Sequence, residues 1–489
     1  MKKFIKIGVL SILIFFVSCE RKTTSLIDPT TDDDINYFVW KGLNLYYLWQ
    51  KDVPDLEDTR FSSFDDLYIH FRGYPSPEAI FENLLYKPTD RFSWIVEDYI
   101  ALENSFQGIN LSSGMEFGVV NYKNNSKNVF GYVRYVIPNT DAASKGVKRG
   151  MIFNTIDGTQ LNLDNYKSLL FGNNTNITIG LSDFNAGNPT SNNSTISLIK
   201  TELQENPIAL SKVITEGNKK IGYLMYNQFA SSYDAHLNAA FANFKAENID
   251  NLIIDLRYNL GGSVNSATYL GSMITGQFTG QLYSQEIWNA KVTKVNPASR
   301  FINNFTNEIK NVDANGNIIL QESINSLNLD KVYFIVSYSS ASASELVINS
   351  LSSHIDVNLV GKTTRGKQVG SITLYDSFNL KKTGADLNPH HRYAMQPLVL
   401  EISNKEGVNY PDGIIPGSPE FPGIVLGEDY EDLGVLGERS DPLLNTTLNY
   451  IITGNKWFSA KNDSYNYKEI SSSKISTPAR DNMFVDFKK

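Results

Sequence analysis

The chain has 489 residues, 41% of them hydrophobic and 20% charged, which is a globular composition and too long for one ordinary domain. Its 44 Lys and Arg against 52 Asp and Glu leave a formal charge of −8, the wrong sign for a nucleic-acid partner. One cysteine excludes an internal disulfide framework, a Cys-based zinc site and an iron–sulfur cluster, and the five histidines show no metal-ligand spacing, so metal chemistry is not expected.

Met1-Lys2-Lys3 followed by the apolar run Ile7 to Val17 has the shape of a secretory signal over residues 1–18, too short to span a bilayer. The run ends at Val17-Ser18-Cys19, which resembles a bacterial lipobox; the resemblance implies that Cys19 is lipidated and becomes the mature N-terminus. The alternative is ordinary signal cleavage with Cys19 incidental. Residues 19–31 then read as a lipidated polar tether, and the membrane is met through the lipid anchor only.

Residues 32–105 form an expected helical domain. Asp32, Asp33 and Asp34 suit the first turn of a helix, where negative charge complements the macrodipole. The aromatic residues behind them (Phe38, Trp40, Tyr46, Tyr47, Trp49) read as core packing in preference to a ligand groove. Further helical stretches run over Phe64–Arg72 and from Pro77 to Leu85.

From 106 to 204 the character is β, with Gly and Asn turns. A strand at Phe130–Ile137, an Ala142-led short helix, Gly146-Val147-Lys148-Arg149-Gly150 and Ile156-Asp157-Gly158 together resemble a PDZ domain of the bacterial type, although Met151 stands where that family usually has Asp. The resemblance implies a carboxylate-binding loop near Phe117, Gly118 and Val119, whose free N–H groups would receive a peptide C-terminus as an added strand.

Residues 205–455 alternate strands (220–226, 251–255, 332–336) with helices (235–247, 264–274, 344–351), the pattern of a layered α/β domain. Asp313-Ala-Asn-Gly-Asn317 lacks the glycine and final glutamate of a calcium loop and reads as a hairpin turn. The polar tail 456–489 carries no motif. Three segments in the core could carry chemistry. Asp255-Leu-Arg-Tyr-Asn-Leu-Gly-Gly262 leaves a buried strand with paired glycines that can expose N–H groups to an anion, and no Lys-Ser/Thr follows to make a P-loop. Ser342, in Tyr338-Ser-Ser-Ala-Ser-Ala-Ser-Glu345, sits at a strand-to-helix turn, where the next N–H is free to meet negative charge. Lys367 lies in the glycine-flanked loop after the next strand and can serve as base if burial lowers its pKa. His354 is the other base within reach in sequence, but its polar neighbours suggest a surface position.

These segments in order, with 25 residues from Ser342 to Lys367 and a late Pro411-Asp-Gly-Ile-Ile-Pro416, resemble the C-terminal-processing (tail-specific) serine peptidases. The aromatic N-terminal segment is similar to that of lipoprotein members of Bacteroidetes type. The resemblance implies a multidomain α/β protein: a small helical domain, a PDZ-like β domain and a crotonase/ClpP-like α/β peptidase core. It implies Ser342 as nucleophile, Lys367 as general base, and the N–H groups of Ala343 and Gly262 as the oxyanion hole, with Gly261 shaping the turn. Many members place Gln four residues after the lysine to orient it; here Ser371 stands there, and Gln368 is the other candidate. The implied activity is an envelope endopeptidase, lipid-anchored to the outer membrane, cutting proteins or peptides with free C-termini. A noncatalytic peptide-binding lipoprotein on the same fold is the alternative, and a crotonase-like acyl-CoA enzyme a poorer one.

Overall fold

The computed structural model describes residues 31–124, 126–172, 174–383, 386–455, 467 and 469–485. The signal, Cys19 and the tether lie outside the described residues. No helix among those described is long and apolar enough to cross a membrane.

The N-terminal region is helical as its pattern predicts. Helix Thr31–Tyr46 opens on three aspartates. The helices Phe64–Phe71 and Pro77–Asn83 each start behind a serine whose hydroxyl accepts from the third residue on. Phe38, Leu43 and Tyr47 are fully buried, which makes the aromatic run core. Tyr47 Oη donates to Asp90 at 2.8 Å, and the strand Trp94–Val96 pairs with Ala394–Gln396, tying this region to the α/β core.

The β region is built on the sheet Met115–Asn121, Val129–Val136, Ile152–Ile156, Asn176–Asp183, Thr190–Ile199. Its outer edge is capped by a strand from far away in the chain, Glu469–Ser472, lying antiparallel on Met115–Asn121. Residues 469–485 of the tail, featureless by composition, are therefore an ordered part of the molecule.

The core sheet runs Ile208–Glu216, Lys219–Tyr226, Asn251–Asp255, Lys331–Val336, Asp356–Gly361, Gly423–Val425, parallel except for the first pair. Alternate residues of its strands face opposite sides. Leu252 and Ile254, with Phe334 and Leu359, join the large cluster shared with the N-terminal helices. Ile253, Ile335 and Val360 pack under the helix Pro442–Thr453. Both faces are covered, which is why these strands read as continuous apolar runs. Asp255, Val336 and Gly361 end their strands side by side, so the segments that follow them converge on one crevice, where open α/β sheets carry their sites. A second sheet joins Gly262–Ser263, Met483–Phe484, Val369–Ser371, Leu398–Ser403, Leu282–Trp288 and Ile302–Asn304 in that order. Residues 313–317 form the expected hairpin turn between Glu308–Val312 and Ile318–Ser323, with Asp313 accepting from the N–H of Asn315 and Asn317.

Candidate active site

The Asp255–Gly262 turn is anchored by charge. Arg257 is fully buried; its Nε and Nη2 donate to Asp255, and its Nη1 lies 2.8 Å from Asp441 Oδ2. Behind it, Asn259 holds two loops together: its Oδ1 accepts from Gly261 N, while its carbonyl accepts from Ala341 N and Ser344 Oγ. Gly261 (φ +113°) and Gly262 (φ +136°) take backbone conformations that side chains rarely adopt. A Cβ on Gly262 would sit 2.2 Å from the Phe229 carbonyl oxygen, and one on Gly261 would sit 2.5 Å from Ser342 Cβ. The paired glycines thus bring the backbone against the serine.

Ser342 precedes the helix Ala343–Ser352 with φ +59° and ψ −117°, a strained conformation for a residue with a side chain. It is fully buried, and its Oγ makes no hydrogen bond among the described residues. Ala343, one residue on, starts the helix, so its N–H lies at the positive helix end.

Glu345, to which the sequence reading gave no role, joins the serine to the lysine. Its fully buried carboxylate accepts from Ser342 N (3.0 Å), Lys367 N (2.8 Å), Gly366 N (2.7 Å) and Thr364 Oγ1 (2.5 Å). Burial raises its pKa, and these four donors pull it back toward the charged form. The visible signal was its place three residues after a serine at a helix start, the capping-box spacing.

Lys367 is fully buried, with its ammonium 4.8 Å from the ring centre of Phe92 and 5.7 Å from that of Trp94. Burial lowers its pKa to about 8, against the raising influence of Asp481. The N-terminal region thus walls the lysine, a role its composition could not reveal. Lys367 Nζ donates to the backbone carbonyl of Asp481, and Asp481 Oδ1 lies 3.9 Å away. No hydrogen bond joins it to Ser342, nor to either expected orienting residue. Ser371 Oγ lies 2.8 Å from both Gln396 Oε1 and Asn482 Oδ1, and the buried Gln368 amide has no partner among the described residues. His354 is not the surface residue expected. It is half-buried between the rings of Phe278 and Phe305, with Nε2 on the Leu282 carbonyl oxygen.

Phe117, Gly118 and Val119 lie on the strand Met115–Asn121, where Ser472 pairs with Gly118 and Ser471 with Val119. A cavity of about 120 Å³ runs between Glu116 and Phe117 on that strand and Gly261 and Gly262 at the glycine turn, walled by Lys474 and Asn482. No group of His, Cys, Asp and Glu among the described residues could hold a metal ion. The site therefore has the parts of a serine acyl-transfer centre: a strained buried serine, a helix-start N–H beside it, a two-glycine turn and a desolvated lysine.

Comparison with known families and structures names the class. Residues 220–396 match peptidase family S41, and residues 34–94 match the peptidase S41 N-terminal domain. The chain therefore carries the two domains of family S41, the family of C-terminal-processing peptidases that its motifs resemble, and that family supports a serine-type peptidase. No curated protein sequence matches it. Among solved structures it is similar to a Bacteroides fragilis NCTC 9343 protein described as an S41 protease, at 21% identity and TM-score 0.62 over 88% of this chain and 99% of that one. That likeness supports the multidomain α/β fold. The photosystem II D1 C-terminal processing protease is similar at 18% identity and TM-score 0.48, over 85% of this chain and 100% of that one.

Proposed function

We propose that the protein is an endopeptidase using Ser342 and Lys367 as a dyad. Neutral Lys367 takes the proton of Ser342 Oγ as the oxygen attacks a peptide carbonyl. The N–H groups of Ala343 and Gly262 stabilise the oxyanion, and Lys367 returns the proton to the leaving amine. Water then releases the acyl group from Ser342 by the reverse sequence. The observation that carries this reading is Lys367 itself: a fully buried lysine under Phe92, with its pKa lowered to about 8, latched to the serine turn through Glu345. A surface lysine at the same spacing would have neither the burial nor the latch.

The reading extends to substrate and place. The strand edge at Phe117, Gly118 and Val119 would take a substrate's free C-terminus in the manner of a PDZ domain, and a lipid on Cys19 would hold the enzyme at the outer membrane of the cell envelope. No cofactor is called for. The noncatalytic reading draws on one observation, that Lys367 Nζ contacts the Asp481 carbonyl and not Ser342. The test is incubation of the purified protein with a mixture of unstructured proteins, with new termini read by mass spectrometry, beside Ser342→Ala and Lys367→Ala. Cleavage lost in both variants supports the dyad; no cleavage by any form, with apolar C-terminal peptides added, favours the binding protein.

A further inference from the structure

Two strand edges of this molecule, at Met115–Asn121 and at Gly262–Ser263, are both covered by one segment of the chain. Glu469–Ser472 fills the open edge of Met115–Asn121, and Ser473 completes the contact: its N–H donates to the Phe117 carbonyl, while its Oγ accepts from Phe117 N. The same segment then crosses to the catalytic turn. There Met483 and Phe484 pair in parallel with Gly262 and Ser263, and Phe484 also pairs with Ser371. Ser263 N–H is already given to the Phe229 carbonyl, so this register turns the Gly262 N–H toward the carbonyl of Asn482. The Asn482 carbonyl oxygen and Ser342 Cβ are both 2.5 Å from the point a Cβ on Gly261 would occupy, so the two flank the glycine turn and lie no more than twice that distance apart. The segment is held firmly. Met483 is fully buried, Ala479, Asp481, Asn482 and Val485 are nearly so, and Phe484 stacks on Phe106 at 4.6 Å.

We propose that residues 469–485 are a built-in pseudosubstrate, which fills both peptide-accepting edges and holds the peptidase off until a substrate chain displaces it. The proposal rests on the peptidase reading above. The segment blocks and is not cut because it diverts the base: Lys367 Nζ is engaged by the Asp481 carbonyl, which leaves Ser342 Oγ without an acceptor for its proton. The Asp481 carboxylate adds to this, since its charge, shared with Arg365 at 3.4 Å, favours the protonated lysine. A protein C-terminus that pairs along Met115–Asn121 must first dislodge Glu469–Ser472, so substrate capture and release of the block are one event. A tethered segment competes at an effective concentration of order millimolar, which explains how a modest self-affinity can exclude dilute substrates.

Hydrogen exchange on the full chain tests occupancy without using activity. The amides of 117–119, 262–263, 470–472 and 483–485 should be protected together. In Met483→Asp, which places a charge at a fully buried position of the segment, those of 262–263 and 483–485 should exchange about tenfold faster or more. The same variant should cleave a fluorescent unstructured polypeptide at least about tenfold faster than the parent. A chain ending at Pro478 should do likewise, and the capped peptide of residues 479–485 added back should raise its KM and leave kcat unchanged. Exchange of 469–485 at unstructured-chain rates in the parent overturns the proposal. So does a folded Met483→Asp or shortened chain that cleaves no faster than a measurably active parent. Protection in the parent and peptide binding by the shortened chain, with cleavage by no form, keeps the occupancy and overturns the peptidase reading instead.

Discussion

Glu345→Gln is the most searching perturbation of this site, because it changes one atom at the junction of its two halves. The carboxylate satisfies four donors: Oε2 serves the amides of Ser342 and Lys367, and Oε1 serves Gly366 N and Thr364 Oγ1. Thr364 Oγ1 already accepts from Ile414 N, which restricts the directions in which its hydroxyl can donate instead. A glutamine amide keeps one accepting oxygen and points two hydrogens at the other pair of donors. Whichever way it flips, two buried donors lose their acceptor, at about 1–3 kcal/mol each, so the variant should be less stable by about 2–6 kcal/mol. That is a large part of a total stability of about 5–15 kcal/mol. In either orientation the Lys367 loop loses an anchor. Misplacement of a reacting group by about 1 Å costs about 10²-fold in rate, so kcat/KM should fall by at least that factor. A readout that general loosening would not move is the pH–rate midpoint. The Glu345 charge helps to raise the Lys367 pKa, so its removal should shift the midpoint down. Urea unfolding and a pH series of kcat/KM measure all three quantities. A variant within about 1 kcal/mol of the parent, with activity within about threefold and an unmoved midpoint, would refute the latch.

Other outcomes follow from the same geometry. With Lys367 titrating near 8 and the neutral amine required, kcat/KM should rise about tenfold per pH unit below that value and level off above it; Lys367→Arg, which has no neutral form, should be inactive, and a flat profile would exclude lysine as base. Phe92→Ala removes part of the lysine's cover, so the midpoint should move up and the rate at neutral pH should fall. Gly262→Ala drives a Cβ to 2.2 Å from the Phe229 carbonyl oxygen at φ +136°; displacing this proposed oxyanion donor should cost about 10²–10³ in kcat. Glu116 is buried beside Glu205, and burial is the larger cause of a pKa raised to about 7. Its folded-state pKa lies above the unfolded value, so its contribution is complete below about 4.5 and is lost as pH rises through about 7. Urea midpoints should therefore show Glu116→Gln overtaking the parent over that window, by about 2–3 kcal/mol at pH 8.

What the sequence determined by itself was everything carried in short spans. The aspartate-led helix at Thr31–Tyr46, the buried strand Asn251–Asp255 and the helix Val264–Ile274 follow from capping residues and apolar periodicity within a dozen positions. The strand-to-helix turn at Ser342, the glycines at 261 and 262 and the loop holding Lys367 were legible because each motif joins a strand end to a loop or helix. Their meeting follows once three consecutive parallel strands lie side by side. The tertiary structure alone decided what surrounds them. Phe92 and Trp94 come from a separate region to desolvate the lysine. Glu345 acts through backbone amides, which no residue pattern displays. Met483 reaches Gly262 across 221 residues, and Ser472 reaches Gly118 across 354. Strand pairing of that kind is written in main-chain N–H and C=O groups, which are the same in every residue but proline. A polar, motif-poor tail could therefore run into the candidate site with nothing in its composition to announce it.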